Sequence, residues 1–189
     1  MYCVSKMFLE TILKEDVPYL DLTTELLGIG NAMGEISFAA RHNMILAGSE
    51  EVTHMGELLD LETVCAKPSG TKIEKGSNFL TLNGQVSQIH SLWKAALNIL
   101  EYASGIATYS RGLLDKGQQY NKDFFVVSTR KHFPNIKELA LKGVLSGGVY
   151  PHRLGLSETI LVFDHHRIFL EGSLEEKLYS VRKMAPEKN

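Results

Sequence analysis

The chain has 189 residues, 44% of them hydrophobic, enough for one sizeable core or two small ones. Its formal net charge of −2 sets up no global field for nucleic acid or an anionic membrane. Two cysteines, Cys3 and Cys65, form neither a disulfide framework nor a metal spacing, so a reduced cytoplasmic protein is expected. No apolar run approaches the ~20 residues of a membrane helix. The opening stretch MYCVSKMFLETILKED carries acids and no long apolar core, so no secretory signal is read there.

Met7, Phe8, Ile12 and Leu13 recur at helical spacing and predict a short amphipathic helix over 6–14. Pro18 and its polar neighbours make 16–24 a loop. The glycine-rich stretch GIGNAMG over 28–34 reads as a plain turn, since no G-x-G-x-x-G opens a helix there. Residues 35–40 and 44–47 read as strands and 50–59 as a short helix. Residues 61–89 alternate short strands with turns at Pro68-Ser69-Gly70, Lys75-Gly76 and Asn83-Gly84. The strongest helix covers 87–103, with Ile89, Leu92, Trp93, Ala96, Leu97 and Leu100. Ser104-Gly105 is expected to end it, with helix resuming over 106–114.

The polar stretch KGQQYNKD at 116–123 reads as a linker between domains 1–115 and 124–189. Beyond it the pattern becomes strand (124–128), helix (134–146), strand (159–163), helix (173–184). That β-α-β-α order is the signature of a parallel sheet. Two βα units do not close a barrel of ~250 residues. The second domain therefore reads as a truncated piece of a longer α/β fold.

The candidate chemistry lies between Phe124 and Arg153. From 129 to 153 there are five Lys/Arg, two His and a single acid, Glu138. Thr129, Arg130 and Lys131 follow the first strand, and His152-Arg153 follow the glycine pair Gly147-Gly148. In a parallel sheet both clusters fall near a carboxyl edge, where such folds bind ligands. The segment reads as an anion site. Lys137 and Lys142 read as the solvent face of the intervening helix. His165-His166, His42, His54 and His90 show no metal-ligand spacing, and no metal site is read. Cys65 has no marked activating partner, and Trp93 reads as core or dimer packing.

Thr129-Arg130-Lys131, Pro134, Gly147-Gly148, His152-Arg153 and Gly155-Leu156 resemble a known signature, TRKT-x-PG…GGG-x-x-HR-x-GL. It belongs to the quinolinate phosphoribosyltransferases, or nicotinate-nucleotide pyrophosphorylases. Residues 16–24 are similar to that family's ED-x-x-x-GD-x-TT loop. Ala96-Leu97-Asn98 and Ser104 to Thr108 resemble its ALN…SGIAT helix. Longer stretches, such as WKAALNILEYASGIATYS and the terminal APEK, look like the ModD branch found in molybdate-transport operons. The resemblance implies an α+β N-terminal sandwich domain followed by an α/β open-barrel domain, of which only the first βα units are present. It implies a homodimer with a shared active site, phosphoribosyl transfer from phosphoribosyl pyrophosphate to a nitrogen base, and Mg²⁺.

Carried over by position, Arg130, His152, Arg153 and Thr129 are expected to bind substrate, with Lys131 as the catalytic cation. Lys94 stands on the family's arginine that crosses the dimer interface, and it lacks arginine's bidentate fork. Trp93 replaces the neighbouring glutamate. Phe163 replaces a lysine and His165 an asparagine, while His166 matches. Two functions follow. One is a phosphoribosyltransferase-like enzyme acting on a nitrogen heterocycle or related small acid. The other is a non-catalytic anion-binding accessory protein on the same scaffold.

Overall fold

A computed structural model describes residues 2–188. The N-terminal half runs α1 (Lys6–Asp16), α2 (Leu22–Leu26), β1 (Met33–Ala39), β2 (Met44–Ile45) and α3 (Ser49–Leu58). It continues β3 (Glu62–Ala66), β4 (Lys72–Ile73), β5 (Asn78–Gln85) and α4 (Val86–Gln118). Then follow β6 (Val127–Ser128), α5 (Lys137–Ser146), β7 (Tyr150–Pro151), α6 (Asp164–Arg167) and α7 (Leu174–Met184). None of these helices is long and apolar enough to cross a membrane.

The main sheet has the order β1-β5-β3, antiparallel throughout. β5 is central, with α3 and α4 packed against the strand, and Phe79, Leu80 and Leu82 are buried along it. β1 is an edge strand whose side chains alternate between exposed and partly covered, as a one-sided strand should. Asn83-Gly84 is not a turn. It lies inside β5, and Gly84 sits opposite Gly34 of β1. A Cβ on Gly84 would fall 2.4 Å from Leu61 Cδ2, so glycine there admits the Leu61 side chain.

Helix α4 is one continuous element of 33 residues, with no break at Ser104-Gly105. Ser104 is buried, and its hydroxyl accepts from Ala47 N at 3.0 Å and donates to Ala47 O at 3.2 Å. One turn on, Thr108 Oγ1 accepts from Ile45 N at 2.9 Å. These hydroxyls satisfy backbone groups of the β2 segment and pin it to α4 instead of stopping the helix. Because α4 runs to Gln118, the first three residues of the expected linker are helical.

β6 and β7 pair in parallel, Val127 opposite Tyr150 and Ser128 opposite Pro151, with α5 between them. This is a βαβ unit, but its second strand is Tyr150–Pro151, not the expected 159–163. Its return turn is built by the glycine pair. Gly148 has φ +81°, Gly148 N donates to Leu145 O at 3.0 Å, and Val149 N donates to Val144 O at 3.1 Å. That is a Schellman ending, which needs a left-handed residue after the helix. Residues 159–163 do not form the expected buried strand. Ile160, Leu161, Val162 and Phe163 are 37–47% exposed. A strand exists by its ladder, and among the described residues none pairs with this segment.

Lys142 does not face solvent. It is 2% exposed and makes ion pairs with Glu50 at 3.0 Å and Glu51 at 3.1 Å. These bonds tie α5 to α3. Burial pushes the Glu50 carboxyl up, but donors from Ser69 Oγ and N, together with Lys142, outweigh it and hold it at about 2. A carboxyl depressed in the fold stabilises above its unfolded value and loses that stabilisation as pH falls through its folded one. The unfolding free energy from urea titrations should therefore drop between pH 5 and pH 2, by about 3 kcal/mol in all from this group. Glu50→Gln should flatten that stretch of the profile. An unchanged slope would remove Glu50 as its cause.

Candidate functional site

The site residues sit just past the ends of β6 and β7. Arg130 lies two residues beyond Ser128, and Arg153 two residues beyond Pro151, the paired last positions of the parallel ladder. His152 N donates to Ser128 O at 3.0 Å, which carries the register one step further. Thr129, Arg130, Lys131, His152 and Arg153 therefore share one carboxyl edge, as a parallel sheet dictates. Thr129 Oγ1 accepts from Lys131 N at 3.3 Å and folds the turn that bears both cations. Arg130 and Lys131 are exposed, and among the described residues neither side chain has a polar partner. Arg153 is half-buried, and its Nη1 donates to Thr159 O at 3.3 Å. Lys137, expected on the solvent face, donates through Nζ to Leu154 O and braces the 152–156 loop.

A cleft of about 1060 Å³ lies between α1, α4 and the start of α5. Glu15, Glu101 and Glu138 line it, and no Lys, Arg or His does, so it does not suit an anion. The cation edge is a separate feature. Lys94 sits on the exposed side of α4 and forms no bond with that edge in its own chain. Trp93 beside it is 52% exposed, so it is not part of this chain's core. Phe163 stacks on His165 and His166, with centroids at 5.4 and 5.8 Å. Among the described residues no group of three His, Cys, Asp or Glu could hold a metal ion.

Sequence reasoning passed over one constellation. Asp21 caps α2, accepting from Thr23 N at 3.1 Å. The Thr24 hydroxyl donates to Asp21 Oδ2 at 2.6 Å and also meets His90 Nδ1 at 2.6 Å. The Thr24 hydrogen bond holds the Asp21 carboxyl below its usual range. The TT of the loop was visible in the sequence, but His90 lies 66 residues from Thr24 and only the fold joins them.

Both halves of the chain match known proteins. Residues 21–104 match the quinolinate phosphoribosyl transferase N-terminal domain, and residues 106–189 match the C-terminal domain of the same family. A Rhodobacter capsulatus protein named as a pyrophosphorylase, ModD, is 35% identical over 189 residues, covering 100% of this chain and 73% of its own length. A Pasteurella multocida protein of the same name is 35% identical over 162 residues, 86% of this chain and 57% of its own length. The crystal structure of NadC from Streptococcus pyogenes superposes with a TM-score of 0.87 at 25% identity, over 98% of this chain and 67% of that one. This chain thus spans 57–73% of these relatives' lengths. With matches in both halves and in the fold, the chain belongs to the quinolinate phosphoribosyl transferase family.

Proposed function

We propose that this chain acts as a pyrophosphorylase of the ModD type, transferring a phosphoribosyl group from phosphoribosyl pyrophosphate to a nitrogen heterocycle or related small acid. The observation that carries this reading is the β6–β7 register, which brings two cation pairs to one sheet edge. In such a transfer the C1–O bond to pyrophosphate breaks and a C1–N bond forms. Positive charge builds on ribose C1 and negative charge on the leaving diphosphate. Fixed Arg and Lys donors stabilise that anion as it departs. Lys131 and Arg130, with no polar partner to give up among the described residues, can bind it; His152 and Arg153 complete the edge.

The proposal includes a homodimer in which Lys94 of one subunit reaches the cation edge of its partner. Tyr19, Leu26, Leu27, Met33 and Trp93 are 52–95% exposed, an apolar surface that a partner subunit would cover. Mg²⁺ enters only through the family resemblance. The described residues offer no ligand set for it.

Isothermal titration with phosphoribosyl pyrophosphate tests the reading. Arg130→Ala should weaken binding by roughly 10- to 100-fold, since a charge-assisted hydrogen bond contributes ~1.5–3 kcal/mol. Lys75→Ala, at an exposed turn, should change it less than twofold. Equal effects of the two substitutions would remove Arg130 from the site.

A further inference from the structure

Arg153 is held by a small closed loop. Past the last ladder bond, from His152 N to Ser128 O, the chain from 153 to 159 belongs to no helix or strand. Arg153 Nη1 donates to Thr159 O at 3.3 Å and closes the loop from outside. Leu154 N donates to Glu158 Oε2 at 2.5 Å and closes it from within. Leu154 O accepts from Lys137 Nζ, which comes from α5, seventeen residues back. Both polar backbone groups of the residue after Arg153 are thus taken by charged side chains. Charge-assisted bonds of this kind are roughly twice as strong as neutral ones. The acid beside Lys137 does not compete for it, because Glu138 accepts from Ser5 N at 2.7 Å and from Ser5 Oγ at 3.2 Å. The rest of the Arg153 fork has no protein partner among the described residues.

We infer that Lys137 and Glu158 are positioning residues for Arg153: together they clamp Leu154 and so fix how the guanidinium meets the diphosphate. The inference rests on the phosphoribosyl transfer proposed above. A guanidinium grips phosphate oxygens through parallel N–H bonds, which form only when the fork arrives in the right orientation. An untethered arginine loses its rotamer freedom on binding. One already tied to its own loop has lost it beforehand, and that preorganisation returns as affinity. Lys137 passes the tie from the loop to α5, whose Lys142 is in turn bonded to Glu50 and Glu51 of α3. The Arg130-Lys131 turn is built separately, by Thr129 Oγ1 accepting from Lys131 N, and shares none of these bonds. Glu158 separates a clamp from a simple field effect. As a bare negative charge on the loop that carries Arg153 it would oppose an anion; as half of a clamp it favours one.

The test titrates the full chain with phosphoribosyl pyrophosphate. Lys137→Met keeps the aliphatic stem and loses the donors. It should weaken binding about three- to tenfold, the contribution of one immobilised side chain. Lys137→Arg should recover most of that loss. Glu158→Ala should weaken binding by a similar factor although it removes a negative charge. Glu158→Gln should not, since its amide oxygen still accepts from Leu154 N. In an Arg153→Ala background Lys137→Met should cause no further loss, whereas in Arg130→Ala its full effect should remain. Tighter or unchanged binding by Glu158→Ala would overturn the inference and leave only the field of the acid. So would a Lys137→Met loss of equal size in both backgrounds, which is what a direct contact with the ligand or a general loosening of the fold would give. A wild type that fails to bind phosphoribosyl pyrophosphate would sink the parent reading, and this one with it.

Discussion

Lys142→Ala should lower the unfolding free energy by about 3–5 kcal/mol, the cost of removing one partner from a buried ion pair. The ammonium has three donors, and all are used: Glu50 Oε2 at 3.0 Å, Glu51 Oε1 at 3.1 Å and Tyr2 O at 3.2 Å. Glu51 is as buried as Lys142, and its second oxygen, Oε2, has no hydrogen-bond partner among the described residues. Without the lysine it becomes an uncompensated charge in the core. Lys142→Ala combined with Glu51→Ala should therefore recover part of the loss, because the stranded carboxylate goes too. Urea unfolding of the two singles and the double gives the coupling energy. A single-mutant loss under 1 kcal/mol would show that water reaches the pair. Binding should suffer as well, since Lys142 ties α5 to α3 and α5 joins the two cation-bearing turns.

Lys142 also marks where the sequence stops being legible. Its place in the helical stripe looked like solvent face, because periodicity reports average apolarity and is blind to a charge with two buried partners. Those partners, Glu50 and Glu51, come from a helix some ninety residues earlier. Ser104-Gly105 misled for a similar reason. Small polar residues stop isolated helices, yet here the serine hydroxyl serves the backbone of Ala47. Residues 159–163 have strand composition, but strand propensity is fit to a paired, half-buried surface, and no partner stands beside them. The cation edge was readable only in part: strand, cations, helix, glycine pair and cations stood in local order, but the returning strand Tyr150–Pro151 was not read, its place being given to 159–163. The right-handed, parallel return of such a unit then places both clusters at one edge. The Asp21–Thr24–His90 link was not readable, since nothing in the spacing of a loop and a distant helix announces their contact.

Gly143 and Gly147 govern how closely α5 seats on α4, and substituting both with alanine should be the most disruptive small change in the second half. A Cβ on Gly143 would lie 2.7 Å from Ala103 O and 2.8 Å from Ile106 Cβ. One on Gly147 would lie 2.6 Å from Ala107 O and 2.7 Å from Ser110 Cβ. These obstacles are backbone or Cβ atoms, which cannot rotate aside, so α5 must lift off α4. Overpacking of this kind costs about 1–3 kcal/mol per site. Alanine's better helix propensity returns at most ~1 kcal/mol at Gly143. Gly105 is the control on the other helix, since a Cβ there meets nothing within 4 Å. Gly105→Ala should stabilise by up to about 1 kcal/mol through propensity alone. Gly143→Ala with Gly147→Ala should lower the urea midpoint and also weaken phosphoribosyl pyrophosphate, because Arg130-Lys131 precede α5 and His152-Arg153 follow it. A double variant with wild-type stability and affinity would mean that the α4–α5 contact is looser than this packing and that the cation edge is positioned by the β6–β7 ladder alone.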